Sequence, residues 1–121
     1  FQDGGFDCIL GNPPFLGGGK ISSNFGDRYF QFIKNHFQPI GGQCDFVAYF
    51  VRNAFKIINP SGFVGLITTN TISQGDTREG SLDQILKGGG KINFAISSTV
   101  WPGVAAVFVA LFCLNKGLGV K

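Results

Sequence analysis

The sequence contains no methionine, one histidine and one tryptophan, and only 14% of its 121 residues are charged. A chain that opens Phe1-Gln2-Asp3 without methionine reads as a segment cut from a longer polypeptide, since no signal-peptide pattern precedes the first apolar run. Sparse charge combined with 44% hydrophobic residues excludes a disordered chain. It is expected of a globular segment whose surface is partly covered by something outside it. The three cysteines, Cys8, Cys44 and Cys113, are odd in number and far apart, and no pair has metal-ligand spacing. The expectation is therefore buried free thiols in a reducing compartment, and no metal. No apolar run is long enough to cross a membrane: the longest, Val104 to Leu114, is about half the required length and reads as a buried strand.

What is present is a glycine- and phenylalanine-rich chain of net charge +3. The 19 glycines follow no Gly-X-Y period, so a collagen-like structure is excluded. The positive charge is compatible with nucleic acid, but the basic residues are scattered and do not make a dedicated basic module.

Punctuation along the chain predicts an alternating α/β order. Phe6 to Leu10 is a short apolar strand ended by Gly11, and Asn12-Pro13-Pro14-Phe15 must leave the sheet because two prolines cannot continue a central strand. Leu16 to Asn24 reads as a flexible loop and Arg28 to Phe37 as a short helix. Asp45 is placed to cap a second helix, in which Val47, Phe50, Val51, Ala54 and Ile58 repeat on one face. Asn59-Pro60-Ser61-Gly62 stops that helix. A second strand is expected over Phe63 to Thr68, a polar loop over Thr69 to Thr77 and a short helix over Ser81 to Lys87. A third strand follows over Ile92 to Ile96, a turn at Trp101-Pro102-Gly103 and a fourth strand over Ala105 to Leu114. Such an order implies a mostly parallel sheet with helices on both faces, closed by an antiparallel last pair.

In open α/β sheets, ligands bind at the carboxyl ends of strands, which is where Asn12-Pro13-Pro14-Phe15 falls. These residue types suit one chemical problem. An amino group on an aromatic ring, or an amide nitrogen, is a poor nucleophile because its lone pair is delocalised. Two acceptors on its two N–H bonds pull it toward tetrahedral geometry. Asn12 offers a side-chain carbonyl and Pro13 a backbone carbonyl, and the fixed φ of proline holds them in place beforehand. Phe15 offers a flat face for a planar base, worth roughly 1–3 kcal/mol per base, and a base inside a duplex reaches such a pocket only by flipping out.

The segment FDCILGNPPF resembles the catalytic motif of the gamma-type adenine-specific DNA N6-methyltransferases found in large restriction-modification polypeptides. INPSGFVGLITTN, TNTISQGDTREGSL and AISSTVWPGVAAVFV are similar to segments that follow that motif in the family, so the resemblance runs from Phe6 to about Lys116. It implies the catalytic C-terminal half of a Rossmann-like class I methyltransferase sheet, spanning residues 1–121, with the cofactor-binding N-terminal half missing. It also implies S-adenosylmethionine as cofactor, its main binding loop outside this chain, and double-stranded DNA as partner in the cytoplasm. By the same resemblance Asn12, Pro13, Pro14 and Phe15 make the catalytic motif, in which Asn12 and Pro13 hold the target amino group and Phe15 stacks on the base, and Trp101 supplies a second aromatic wall. Asn12 borders the cofactor. Asp7 either orients the cofactor or ties down the loop after the strand. Lys20, Arg28 and Arg78 are candidates for phosphate contacts by charge and loop position.

Other readings carry less. Gly17-Gly18-Gly19-Lys20 fails the phosphate-loop pattern, because Pro14 stands at the first glycine position and Ile21 follows the lysine. His36, Ser73 and Asp76 form no triad, since nothing marks a nucleophile elbow. Methylation of protein glutamine or of guanine N2 in ribosomal RNA stays open as an alternative substrate, and an inactive fragment as an alternative state.

Overall fold

The computed structural model describes residues 4–117. Strand β1 (Phe6–Gly11) is followed by a single 3-10 turn (Gly18–Lys20) and helices α1 (Ile21–Phe25), α2 (Asp27–His36) and α3 (Phe46–Ile57). Then come β2 (Ile58–Thr69), a 3-10 turn (Asn70–Ser73), α4 (Gly75–Gly80), α5 (Leu82–Lys87), β3 (Lys91–Val100) and β4 (Phe108–Asn115). The Leu16–Asn24 stretch, expected as a flexible loop, is helical for much of its length because Ile21 is fully buried against α2 and α3. Part of the Thr69–Thr77 loop is likewise wound into the second 3-10 turn and the start of α4.

The four strands form one sheet in the order β1-β2-β4-β3. β1 and β2 are parallel, and β4 runs antiparallel to both of its neighbours, so β3 points the same way as β1 and β2. The antiparallel pair expected at the end of the chain is present, with β4 inserted between β2 and β3. The segment 59–62 bulges out of the β1–β2 ladder, whose register jumps from Phe6↔Ile58 to Cys8↔Phe63. Within the bulge, Asn59 accepts from Ser61 N–H at 2.9 Å. A side chain at Gly62 would meet the Phe6 carbonyl at 2.6 Å, so this close approach requires glycine.

Contrary to the two-faced expectation, all the described helices lie on one face of the sheet. The reason is handedness. Strands β1, β2 and β3 are laid down in one direction, and right-handed crossovers then bring every connecting helix to the same side. On that side the alternating residues Val64, Leu66, Ala110, Phe112 and Leu114 pack against Val47 and Val51 of α3 and Ile85 of α5. Helix α3 is buried on two faces instead of one: Phe46, Ala48 and Tyr49 pack a second cluster with Ile21, Ile33, Ile40 and Cys44. Phe50, expected on the buried face, is 40% exposed.

The opposite face of the sheet is bare. Leu10 (78% exposed), Phe94 and Ile96 project from it, with Ile67, Leu111 and Cys113 around a shallow hollow of about 560 Å³. Cys8, expected to be buried, is exposed for the same reason. No described helix is long and apolar enough to cross a membrane.

Leu114→Ala, at a site with no solvent exposure, is expected to lower stability by about 2–5 kcal/mol. Leu10→Ala on the bare face is expected to cost less than about 1 kcal/mol. Denaturant unfolding of the two variants checks the contrast.

Candidate functional site

β1 ends at Gly11, which pairs with Leu66, and Asn12 is the first residue to leave the sheet. The loop that follows is tied down at its far end. Leu16 N–H donates to Asp45 Oδ1 at 3.1 Å, and Leu16 O accepts from Phe46 N–H at 2.8 Å. Asp45 is the N-cap of α3, accepting from Val47 N–H at 2.9 Å with the same oxygen. Its own N–H donates to Thr77 Oγ1 of α4 at 3.0 Å. One 8%-exposed carboxylate residue thus joins the motif loop, the start of α3 and the segment after β2.

Between these fixed ends, Asn12, Pro13 and Pro14 border a cleft of about 250 Å³, backed by Ile9, Ala54 and Leu66. Among the described residues, neither the Asn12 side chain nor the Pro13 carbonyl is engaged in a hydrogen bond, so both acceptors are open to solvent or a substrate. Phe15 is 60% exposed and stands free of the core. Gly18 has a packing role: a side chain there would meet the backbone of Gln43 at 2.4 Å, which accounts for a glycine without any phosphate.

A family described as Eco57I restriction-modification methylase matches residues 1–100. The chain belongs to this family. The chain is 28% identical over 115 residues to "DNA methyltransferase A" of Bacillus subtilis (strain 168), which covers 92% of this chain and 12% of that protein. It also superposes on the structure of the Type IIL restriction-modification enzyme MmeI in complex with DNA. That match has a TM-score of 0.68 and 31% identity, and it covers 90% of this chain and 15% of that one. The chain therefore spans roughly an eighth of these relatives' length.

Within this Eco57I-family chain the other candidate residues fall in different places. Trp101 follows β3 at the same end of the sheet as Asn12, its N–H donating to Val107 O at 3.0 Å across the 101–107 loop. With β2 and β4 between, β3 lies three strand spacings, about 14 Å, from β1. Trp101 does not line the Asn12 cleft. Asp7 lies near the amino end of β1, about 16 Å of strand from Asn12, and accepts from Asn59 Nδ2 at 2.5 Å. It therefore holds the 59–62 bulge and not the loop after β1. Lys20 and Arg28 are exposed near the carboxyl end of the sheet, whereas the Arg78 guanidinium is paired with Asp83 at 3.2 Å.

One pair escaped the sequence reading. Asn70, just after β2, donates to Ser98 Oγ at 3.1 Å and accepts from Ser98 N–H at 3.0 Å. Ser98 has φ of 55° and sits where the β3–β4 register breaks between Ile96 and Thr99. Asn70 therefore holds a left-handed serine that starts the Trp101 loop, a conformation that needs such support. The two residues are 28 apart, so no local pattern announces them.

The ionisable groups behind the site are structural. Burial pushes the Cys44 thiol up to about 12, opposed by its hydrogen bond with Thr77. Burial likewise raises Tyr49 to about 12, and its hydroxyl has no partner among the described residues. Cys44 is thus expected to resist alkylation at pH 8 until the chain unfolds, since the thiolate is the reactive form; labelling with and without denaturant checks this. Asp45→Ala is expected to lower stability by about 2–3 kcal/mol through the lost cap and the lost Leu16 tether. Asp45→Asn, which keeps an acceptor oxygen, should lose less in the same unfolding measurement.

Proposed function

We propose that this chain is the catalytic segment of an S-adenosylmethionine-dependent methyltransferase that methylates N6 of a flipped adenine in double-stranded DNA, within a restriction-modification system. The observation that carries the reading is the pair of unengaged acceptors, Asn12 Oδ1 and Pro13 O, presented at the carboxyl end of β1. The family match and the DNA-bound relative support DNA as the substrate.

In this reading the two acceptors take the two N–H bonds of the adenine amino group. On taking the methyl group the nitrogen would become cationic as the methyl–sulfur bond breaks and a neutral thioether leaves; the two acceptors stabilise its N–H dipoles, and the proton then passes to solvent, since amide oxygens are too weakly basic to keep it. Because Pro13 and the Asp45 tether fix the loop in advance, little reorganisation accompanies the reaction. Phe15 stacks on the extruded base, while Trp101, at the far edge of the sheet, lines no part of this cleft. Lys20 and Arg28 meet phosphates at the same end of the sheet. Arg78 joins them only by releasing Asp83.

The cofactor supplies an electrophilic methyl group. The residues present fit one side of such a ligand, since the open cleft and the polar Asn12 lie beside β1, the edge strand of the described sheet. The remainder of the cofactor site, the N-terminal half of the sheet and a target-recognition domain belong to the same polypeptide in this reading, which places the enzyme in the cytoplasm with its DNA.

The test is transfer of labelled methyl groups from S-adenosylmethionine to duplex DNA by the complete polypeptide, with the modified base identified after digestion. Asn12→Ala is expected to lower kcat by about 10²–10³-fold. Phe15→Ala is expected to raise KM for DNA about tenfold or more. Label appearing on protein or RNA and not on DNA overturns the reading.

A further inference from the structure

The end of the sheet opposite Asn12 carries a second, chemically different recess. Helices α2 and α3 run side by side: Tyr29 and Phe46 meet near their starts at 6.3 Å between ring centroids, and His36 and Lys56 meet at their ends. There, with α5 and the residue after β4, they enclose a groove of about 420 Å³. Its polar lining is His36, Arg52, Lys56, Gln84 and Lys116, with no carboxylate among the described residues that line it. The volume lies within the ~300–1,000 Å³ typical of small-ligand sites. Lys116 fixes its location, since Nζ donates to the carbonyls of Ile58 and Lys56 at the start of β2, the end farthest from the motif loop.

Among the described residues, no acidic side chain pairs with the charges in this groove. Arg52 is anchored by the carbonyls of Phe37, Gln38, Pro39 and Gly80, and its guanidinium lies 5.7 Å from the Phe37 ring centroid. It contributes field with few free N–H groups. Lys116 spends two of its three N–H donors on carbonyls. The exposed Lys56 ammonium meets an imidazole, not an acid, with 3.5 Å between Nζ and His36 Nε2. Three permanent positive charges therefore converge on one recess with the apolar walls of Phe37 and Phe55. A one-signed cleft with such walls concentrates potential and attracts counter-ions.

We propose that this groove binds a phosphate group, carried either by a small free phosphate or by a phosphodiester backbone. Lys56 donates to its oxygens, Lys116 adds its remaining N–H, and Arg52 adds charge. Convergence of three cations suits a multiply charged oxyanion better than a single carboxylate.

The test uses the complete polypeptide and compares wild type with Lys56→Ala and Lys56→Arg. Lys56 is exposed in the last turn of α3, so neither change disturbs the core. Calorimetric titration with inorganic pyrophosphate is one arm. Binding weakened about tenfold or more by Lys56→Ala and kept by Lys56→Arg assigns a free phosphate ligand. Duplex binding over a range of salt is the other arm. A log–log slope shallower by about one unit in Lys56→Ala alone assigns a backbone phosphate. If Lys56→Ala changes neither pyrophosphate affinity nor the salt slope, the proposal is overturned. Neither arm depends on methyl transfer, so its outcome is separate from that of the catalytic reading.

Discussion

The rest of this structure depends on the Asp45 carboxylate. A helix start leaves backbone N–H groups without partners, and Asp45 satisfies one of them at Val47. The same oxygen reaches back to Leu16, while the Asp45 backbone reaches forward to Thr77. Three segments far apart in sequence are thereby brought to one buried point at the carboxyl end of the sheet. The consequence for chemistry is indirect but decisive. The motif loop is held at β1 on one side and at Leu16 on the other, so its acceptors need no ordering when a substrate arrives.

Handedness supplies the second constraint. Because β1, β2 and β3 advance in one direction across the sheet, all the crossovers fall on one side, and the other face keeps Leu10, Phe94 and Ile96 in the open. The sheet is mixed, with one parallel ladder and two antiparallel ones. Among the described residues, helices cover one of its two faces.

The two ends of the sheet are thus different chemically. At the carboxyl end, neutral acceptors stand open beside an exposed phenylalanine, which suits a planar base with N–H groups to donate. At the amino end, cations converge with no acid beside them. A ligand suited to one end would leave its polar groups unpaired at the other.

Much of this was legible from residues a few positions apart. Gly11 and the two prolines after it mark a strand end, Asp45 ahead of an apolar repeat marks a cap, and Asn59-Pro60-Ser61-Gly62 marks the end of α3. These signals act within a turn or a strand, so the sequence by itself determined the order of the main elements and put Asn12 and Pro13 beyond a strand's carboxyl end. Tertiary structure alone decided the rest. It placed β4 between β2 and β3, buried α3 on two faces, wound 18–25 into helix, exposed Cys8, and joined Leu16 to Asp45, Asn70 to Ser98 and Lys116 to Ile58. Those pairs are 28 to 58 residues apart. Periodicity carries no information at such distances, and only the packing of one layer on another selects them.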